Sequence, residues 1–382
     1  MHFSLTMPGK VLFGRGEFAN AGKIASQYGN RFLIVTNPSL QSSGAVRRLQ
    51  QSLEDQGAAS VVYTMSGEPT PELVHAAAGL ASSEACDGVV GLGGGSAMDT
   101  AKAAAGIATN RGPVMDYLEG VGTGRIMTAL PLPFLAIPTT SGTGAEATKN
   151  AVICDAAVGY KASFRSDSLL AKAVIVDPEL TVSVPANVTA WSGMDALTQL
   201  MESYISKKAQ PVTDLLALSG MKAVAASLAR AYANGQDLEA REAMAYGSFL
   251  SGVCLANSGL GADHGIAAAF GAVLGVPHGL ACAVLLPHVM RINMPNVGPK
   301  AASMAEALTG SCFNSMDDNV EAVTGFVQEL AERLHIPSKL NMPGLDDGIL
   351  VRVLCAVSRS SLSGNPIELT SEDILEIIKK TV

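Results

Sequence analysis

The stretch Asp87-Gly88-Val89-Val90-Gly91-Leu92-Gly93-Gly94-Gly95-Ser96-Ala97-Met98-Asp99 changes character twice. It begins as a short apolar run with β-branched residues, the pattern of a strand buried on both faces. A glycine triplet follows, and an Ala-rich helical pattern starts at Ala97. A glycine turn between the end of a strand and the start of a helix can receive a pyrophosphate. Without a Cβ the backbone can come close, and the helix N-terminus offers free N–H groups and a positive dipole end. The turn departs from G-x-G-x-x-G because Ser96 stands at the last glycine position, and it lacks the G-K-[ST] ending of a P-loop. Taken alone it also fits a tight turn with Ser96 capping the helix.

Working outward, similar apolar runs recur. Upstream lie Phe32-Leu33-Ile34-Val35-Thr36, ended by Asn37-Pro38, and Ser60-Val61-Val62-Tyr63. Downstream lie Phe134-Leu135-Ala136-Ile137-Pro138 and Ala173-Val174-Ile175-Val176-Asp177-Pro178. Helical patterns separate them, so the spacing predicts an α/β domain built on a mostly parallel sheet covered on both faces. Residues 3–13 read as an extra strand or hairpin. A second glycine- and hydroxyl-rich segment, Pro138-Thr139-Thr140-Ser141-Gly142-Thr143-Gly144-Ala145-Glu146, follows the fourth run. Two such segments at strand C-terminal ends agree with the crevice rule for open sheets. Beyond Pro185 the chain turns to long helical patterns rich in Ala, Leu and Met, beginning at Val188–Ser206. The expected organisation is therefore an α/β nucleotide-binding domain over 1–183 and an all-helical domain over 184–382, with ligands in the cleft between them.

Composition narrows the function. Of the 382 residues 48% are hydrophobic and 16% charged, which excludes a disordered chain. The net charge is −8 and no Lys/Arg block occurs, which speaks against nucleic acid or an anionic membrane as partner. The six cysteines are scattered with no C-x-x-C pair and are expected to be buried free thiols in a reducing compartment. Met1-His2-Phe3-Ser4 lacks a basic start, so no signal peptide is expected and the location is read as cytoplasmic. Residues 265–290 carry no Asp, Glu, Lys or Arg and are long enough to span a bilayer. Pro277, Pro287, His278, His288 and several glycines make this stretch read as buried helices broken by a turn.

One constellation has metal-ligand chemistry. Asp195 and Gln199 are four apart and share a helix face. His264 and His278 would lie roughly 21 Å apart on one straight helix. Gly271, Gly275 and Pro277 between them allow the chain to turn back. A carboxylate with two imidazoles suits Zn²⁺ or Fe²⁺. By spacing alone, Asp195 also fits a capping carboxylate and the histidines satisfied core residues.

Gly93-Gly94-Gly95-Ser96 with Asp99, the segment 138–146, Gly193-Met194-Asp195-Ala196-Leu197-Thr198 and Pro277-His278-Gly279 occur together in this order. In that order and spacing the chain resembles the group III, or iron-dependent, alcohol dehydrogenases over nearly its whole length. The resemblance implies a dehydroquinate synthase-like fold, NAD(P), a divalent metal (Fe²⁺ or Zn²⁺), a small alcohol or aldehyde substrate and a homodimer. It implies metal ligation by Asp195, His264 and His278, and by Gln199, whose amide oxygen stands where the family has its remaining histidine. A further family histidine, near the substrate, corresponds to Ala268. The resemblance also assigns Gly94, Gly95, Ser96, Asp99, Thr139, Thr140, Thr143, Asn150 and Lys161 to cofactor contact, with Lys161 also among the catalytic residues. Asn37 stands where many NAD-using relatives carry an Asp after the second strand, which implies that NADP(H) is tolerated. Two other functions share these features: a dehydroquinate synthase-type lyase, and a nucleotide-binding protein with a degenerate metal site.

Overall fold

A computed structural model describes residues 3–155 and 160–382. Met1 and His2, part of the leader reading, lie outside them. The chain divides into two compact units. One comprises Thr6–Thr140 and Gly144–Ser183; the other comprises residues 3–5, Ser141–Thr143 and Val184–Val382.

The first unit is built on a six-stranded sheet. Its strands are β1 (Lys10–Phe13), β2 (Arg31–Thr36), β3 (Ala59–Thr64), β4 (Gly88–Gly93), β5 (Phe134–Pro138) and, after a separate hairpin, β8 (Ala173–Val176). The order is β1-β8-β5-β4-β2-β3 and every pairing is parallel. Each of the five apolar runs in the sequence forms a strand. Every residue of β4 is buried, as its unbroken apolar run requires. The helix Ala45–Glu54 shows the complementary pattern. Ala45, Val46, Leu49 and Leu53 form its buried stripe and join Phe18, Phe32, Ile34 and Ile175 in one core. In the stretch expected to give an extra strand or hairpin, only residues 10–13 pair, as the edge strand β1.

The hairpin β6 (Asn150–Asp155) and β7 (Tyr160–Arg165) is antiparallel and forms its own two-stranded sheet. Its runs mix polar and apolar residues without a clean period, so nothing in the sequence marks it as a hairpin.

The second unit is helical. Its main helices are Ala186–Ile205, Pro211–Ala233, Leu238–Ser258, Ala262–Ala269, His278–Asn293, Lys300–Thr309, Met316–Arg333, Asp347–Ala356 and Ser371–Thr381. Pro211–Ala233 is long and apolar enough to cross a membrane by length and composition. In the structure it packs on both of its sequence neighbours, burying Met221, Val224 and Leu228. The uncharged stretch 265–290 is two helices with a break between them. Two short segments from earlier in the chain group with these helices. Gly142 offers its carbonyl to Ser251 Oγ at 3.4 Å, and Ser4 offers its own to Gln210 Nε2 at 2.9 Å.

All six cysteines are free thiols. The expectation that they are buried is corrected for Cys154, which is half-buried, and for Cys312 and Cys355, which are exposed. Cys312 lies in the turn after Lys300–Thr309, and Cys355 on the outward face of Asp347–Ala356.

Candidate metal centre and dinucleotide turn

The metal candidates come from three helices of the second unit. Asp195 sits in the middle of Ala186–Ile205, and His264 in the first turn of Ala262–Ala269. His278 opens His278–Asn293. The chain between the two histidines turns back in three steps. A π-helical turn runs over Phe270–Leu274, Gly275 takes a left-handed φ of +68°, and Pro277 precedes the new helix. Gly275 is the residue type that adopts this conformation without a Cβ clash. The two imidazole rings end 5.4 Å apart, inclined by 62°.

Asp195 is the hub. Its Oδ1 lies 3.1 Å from His264 Nε2 and 3.8 Å from His278 Nε2. Asp195 and His264 are buried, while the His278 side chain is 27% exposed and faces the open side of the cluster. Gln199, one helical turn on from Asp195, donates its Nε2 to Asp195 Oδ1 at 3.0 Å. Its Oε1 accepts from Ser251 Oγ at 2.9 Å.

Two residues that sequence reasoning passes over complete the cluster. Glu202, on the same helix and fully buried, accepts from His264 Nδ1 at 2.8 Å. Its other oxygen accepts from the backbone N–H of Asp263 at 2.7 Å. Cys282, four residues after His278, places its Sγ 4.0 Å from Asp195 Oδ1 and 3.8 Å from His278 Nε2. One ligand atom from each of Asp195, His264, His278 and Cys282 falls within 4.8 Å of the others. A signal for both was present: Glu202 is seven residues beyond Asp195 and Cys282 four beyond His278, so each shares a helix face with a proposed ligand.

The electrostatics call for a cation. Burial would raise the Asp195 carboxyl, but the bond from His264 and the nearby His278 outweigh it and hold it below its ordinary value. Burial disfavours the imidazolium of His264. The Cys282 sulfur, Asp195 and Glu202 more than offset this and raise it well above the usual histidine range. Burial pushes the Cys282 thiol up as well. Two buried carboxylates around one imidazole are stable only with positive charge beside them, from a proton or a metal ion. The donor chemistry fits a divalent transition metal.

In the first unit, the turn after β4 leads straight into the helix Gly95–Ile107. Gly94 stands at the N-cap position, no side chain caps the helix, and no carboxylate lies in its first turn. Ser96 is therefore inside the helix rather than at its cap. A Cβ on Gly94 would come within 3.2 Å of Thr140 Oγ1, so the two segments that the sequence singled out meet here. Thr139 donates its N–H to Gly93 O at 2.9 Å, which ties the end of β5 to the turn. The arrangement is a shallow backbone cradle with unclaimed N–H groups, which suits a pyrophosphate.

The remaining candidates have other partners as well. Asn37 caps the short helix Pro38–Ser42, with its Oδ1 accepting from Leu40 N at 3.3 Å and Ser39 Oγ at 2.8 Å. Asp99 accepts from Val152 N at 3.0 Å; burial raises its carboxyl to about 6. Asn150 begins β6, and its carbonyl accepts from Lys102 Nζ at 2.7 Å. Lys161 lies on β7 opposite Cys154 and pairs with Glu68 Oε2 at 3.2 Å. Thr143 groups with the helical unit.

Comparison with known proteins agrees with this geometry. A family profile described as iron-containing alcohol dehydrogenase matches residues 8–178. The C-terminal profile of the Fe-containing alcohol dehydrogenase family matches residues 189–382. An NAD-dependent methanol dehydrogenase of Bacillus methanolicus is 35% identical over 381 residues, covering 98% of this chain and 99% of its own. A solved 1,3-propanediol oxidoreductase superposes with a TM-score of 0.93 at 31% identity, covering all of both chains. A sulfoacetaldehyde reductase from Bifidobacterium kashiwanohense, solved with NAD⁺, superposes with a TM-score of 0.90 at 31% identity, covering 99% of this chain and 98% of its own. The chain belongs to the iron-containing alcohol dehydrogenase family. It is an oxidoreductase of the alcohol dehydrogenase type, and the lyase alternative is not favoured.

Proposed function

We propose that the protein interconverts a small alcohol and its aldehyde, using NAD(P) and a divalent metal held by Asp195, His264 and His278. The convergence of one buried carboxylate and two imidazoles from three separate helices carries this reading. When bound, the nicotinamide supplies or takes the hydride and the metal polarises the substrate oxygen. The chain's own residues do the rest. Glu202 holds a proton of His264 on Nδ1, so that when a metal takes the place of the proton that Nε2 shares with Asp195, the freed Nε2 lone pair would face the ion. Gly94, Gly95 and Ser96, with Thr140 beside them, receive the pyrophosphate at the uncapped helix start. Thr139, Thr143, Asp99, Asn150 and Lys161 complete the dinucleotide contacts on the strength of the family resemblance. Asn37, which carries no negative charge, would stand beside the adenosine ribose on the strength of the resemblance, so a 2′-phosphate would be tolerated and NADP(H) accepted. Six free thiols fit a reducing cytoplasm, and a homodimer completes the reading.

Steady-state assays with a panel of aldehydes and alcohols, each with NADH and NADPH, test this reading. Turnover is expected with both cofactors and lost after exhaustive chelation. Full activity in protein shown to be metal-free by elemental analysis would overturn the metal-assisted mechanism. Asn37→Asp keeps an equally good helix cap and adds a charge. It should lower kcat/KM for NADPH by about tenfold or more, with that for NADH little changed, because the 2′-phosphate carries up to about two negative charges. An unchanged cofactor ratio would remove Asn37 from the cofactor site.

A further inference from the structure

We infer that Cys282, and not Gln199, supplies the fourth donor of the metal site, and that the resulting carboxylate–imidazole–imidazole–thiolate set takes Zn²⁺ in preference to Fe²⁺. The inference rests on the reading that a metal is held by Asp195, His264 and His278. It goes beyond that reading in naming the fourth ligand and the ion.

Gln199 occupies the place of the family's remaining histidine, but its amide is already committed. An ionised carboxylate only accepts hydrogen bonds, so the end of the amide that faces Asp195 must be the NH₂ group, which has no lone pair for a metal. That contact is 3.0 Å, and the oxygen at the other end accepts from Ser251 Oγ at 2.9 Å. Turning the amide over would set its oxygen against the Asp195 carboxylate oxygen and lose that bond, and Ser251 Oγ, which can accept as well as donate, gives nothing that offsets the repulsion. Gln199 is therefore a positioning residue for Asp195.

Cys282 has the opposite character. Its sulfur is fully buried, yet its neighbours are two carboxylates, Asp195 and Asp263, and two imidazoles rather than apolar groups. Cys254, equally buried, instead donates to the Thr213 carbonyl on a neighbouring helix. Cys282 follows His278 by one helical turn, so both donors leave the same helix on one face. Donors around a tetrahedral ion with metal–ligand lengths of about 2.0–2.3 Å stand roughly 3.3–3.6 Å apart. The separations here are 3.1, 3.8, 3.8 and 4.0 Å, with every donor atom within 4.8 Å of the rest. Small side-chain adjustments close this set on an ion. Thiolate is a softer donor than imidazole and shifts preference toward Zn²⁺. On binding, the Cys282 S–H bond breaks, the sulfur keeps the electron pair for the metal, and the proton leaves to solvent.

X-ray absorption on the full-length protein loaded with Zn²⁺, in buffer free of thiol reductants, reads the ligand directly. One sulfur at about 2.3 Å is expected beside nitrogen and oxygen at about 2.0–2.2 Å. Cys282→Ser should lose that sulfur and weaken Zn²⁺ retention by about 100-fold, while Gln199→Ala keeps the sulfur. Loading with Co²⁺ gives a second readout: a sulfur-to-cobalt charge-transfer band in the wild type that is absent in Cys282→Ser. Bound metal with nitrogen and oxygen ligands alone would overturn the thiolate assignment and leave the metal site standing. Failure of the wild type to retain Zn²⁺ or Co²⁺ at all would overturn both. Tighter retention of Fe²⁺ than Zn²⁺ in direct competition would overturn the stated preference.

Discussion

Glu202 shows how much one side chain decides at the residue scale. Its carboxylate accepts from two backbone N–H groups and from His264 Nδ1, so it selects the imidazole tautomer that frees Nε2. Glu202→Gln preserves the shape and can still accept from the Asp263 N–H with its oxygen. Its NH₂ would then face Nδ1 and drive the proton to Nε2, the wrong nitrogen for a ligand. Metal affinity should fall about 10–100-fold, the range seen for groups that orient metal ligands. Competition against a chromophoric chelator measures it, with far-ultraviolet circular dichroism as the control for folding. An affinity equal to the wild type would mean that Glu202 serves the backbone alone. At this scale the sequence was legible where residue types are distinctive. Asp195, His264 and His278 stand out from an apolar background, and the structure brings their side chains together. Glu202 and Cys282 were less visible, because a lone glutamate or a scattered cysteine has many ordinary explanations. Their roles depend on helix faces that meet only after the Gly275 turn reverses the chain.

At the scale of elements, four parallel strands were plain because buried strands must be apolar throughout, and the half-buried edge strand β3 was legible from its β-branched run Val61-Val62. The β6–β7 hairpin was not, and neither was the clamp that holds it. Lys102 is fully buried on the helix Gly95–Ile107 and donates to Ala145 O and Asn150 O at 2.7 Å each and to Thr148 Oγ1 at 3.0 Å. It thereby fastens the second glycine-rich segment and the start of β6 to the helix that carries the dinucleotide turn. Burial lowers this lysine to about 8, and burial raises its buried neighbour Glu146 to about 7. The sign of the pH dependence follows. Between its ordinary 4.5 and about 7, Glu146 keeps its proton in the folded protein and loses it in the unfolded chain. The folded state binds more protons there, so stability is full below pH 4.5 and declines as pH rises through 7. Asp99 adds a decline between 3.8 and about 6, while Lys102 gives a rise between about 8 and 10.5. Glu146→Gln should flatten the segment between pH 4.5 and 7. At pH 8 it should stabilise the protein by about 1–3 kcal/mol, part of the gain being offset by lost attraction to Lys102. Urea unfolding of both proteins from pH 4 to 9 tests this. A variant-minus-wild-type difference that does not change with pH would show that Glu146 titrates alike in the folded and unfolded states.

For the whole molecule, the change of pattern near Pro185 separated a strand-and-helix half from a helical half, because the two obey different periodicities. The sequence could not show that Ser141–Thr143 groups with the helices, since that depends on Gly142 meeting Ser192 and Ser251, the latter 109 residues away. The two units carry different proposed ligands, so each ligand should stabilise its own surroundings first. A ligand present at about 100 times its Kd adds about 2.7 kcal/mol to the state that binds it. Hydrogen exchange can resolve where that stabilisation falls. NADH added to the metal-loaded protein should slow exchange in the β4 strand and the helix Gly95–Ile107, whose first N–H groups lack a capping partner. Removing the metal should instead quicken exchange in Ala186–Ile205 and His278–Asn293, where buried Asp195 and Cys282 would lose the cation that balances them. In Gly94→Val the branched side chain would press on Thr140 and fill the cradle, so the NADH effect should vanish while the metal effect stays. Protection by NADH that persists in this variant would move the pyrophosphate away from the glycine turn. Faster exchange in the sheet rather than the helices on chelation would place the metal in the other unit and overturn the division of labour proposed here.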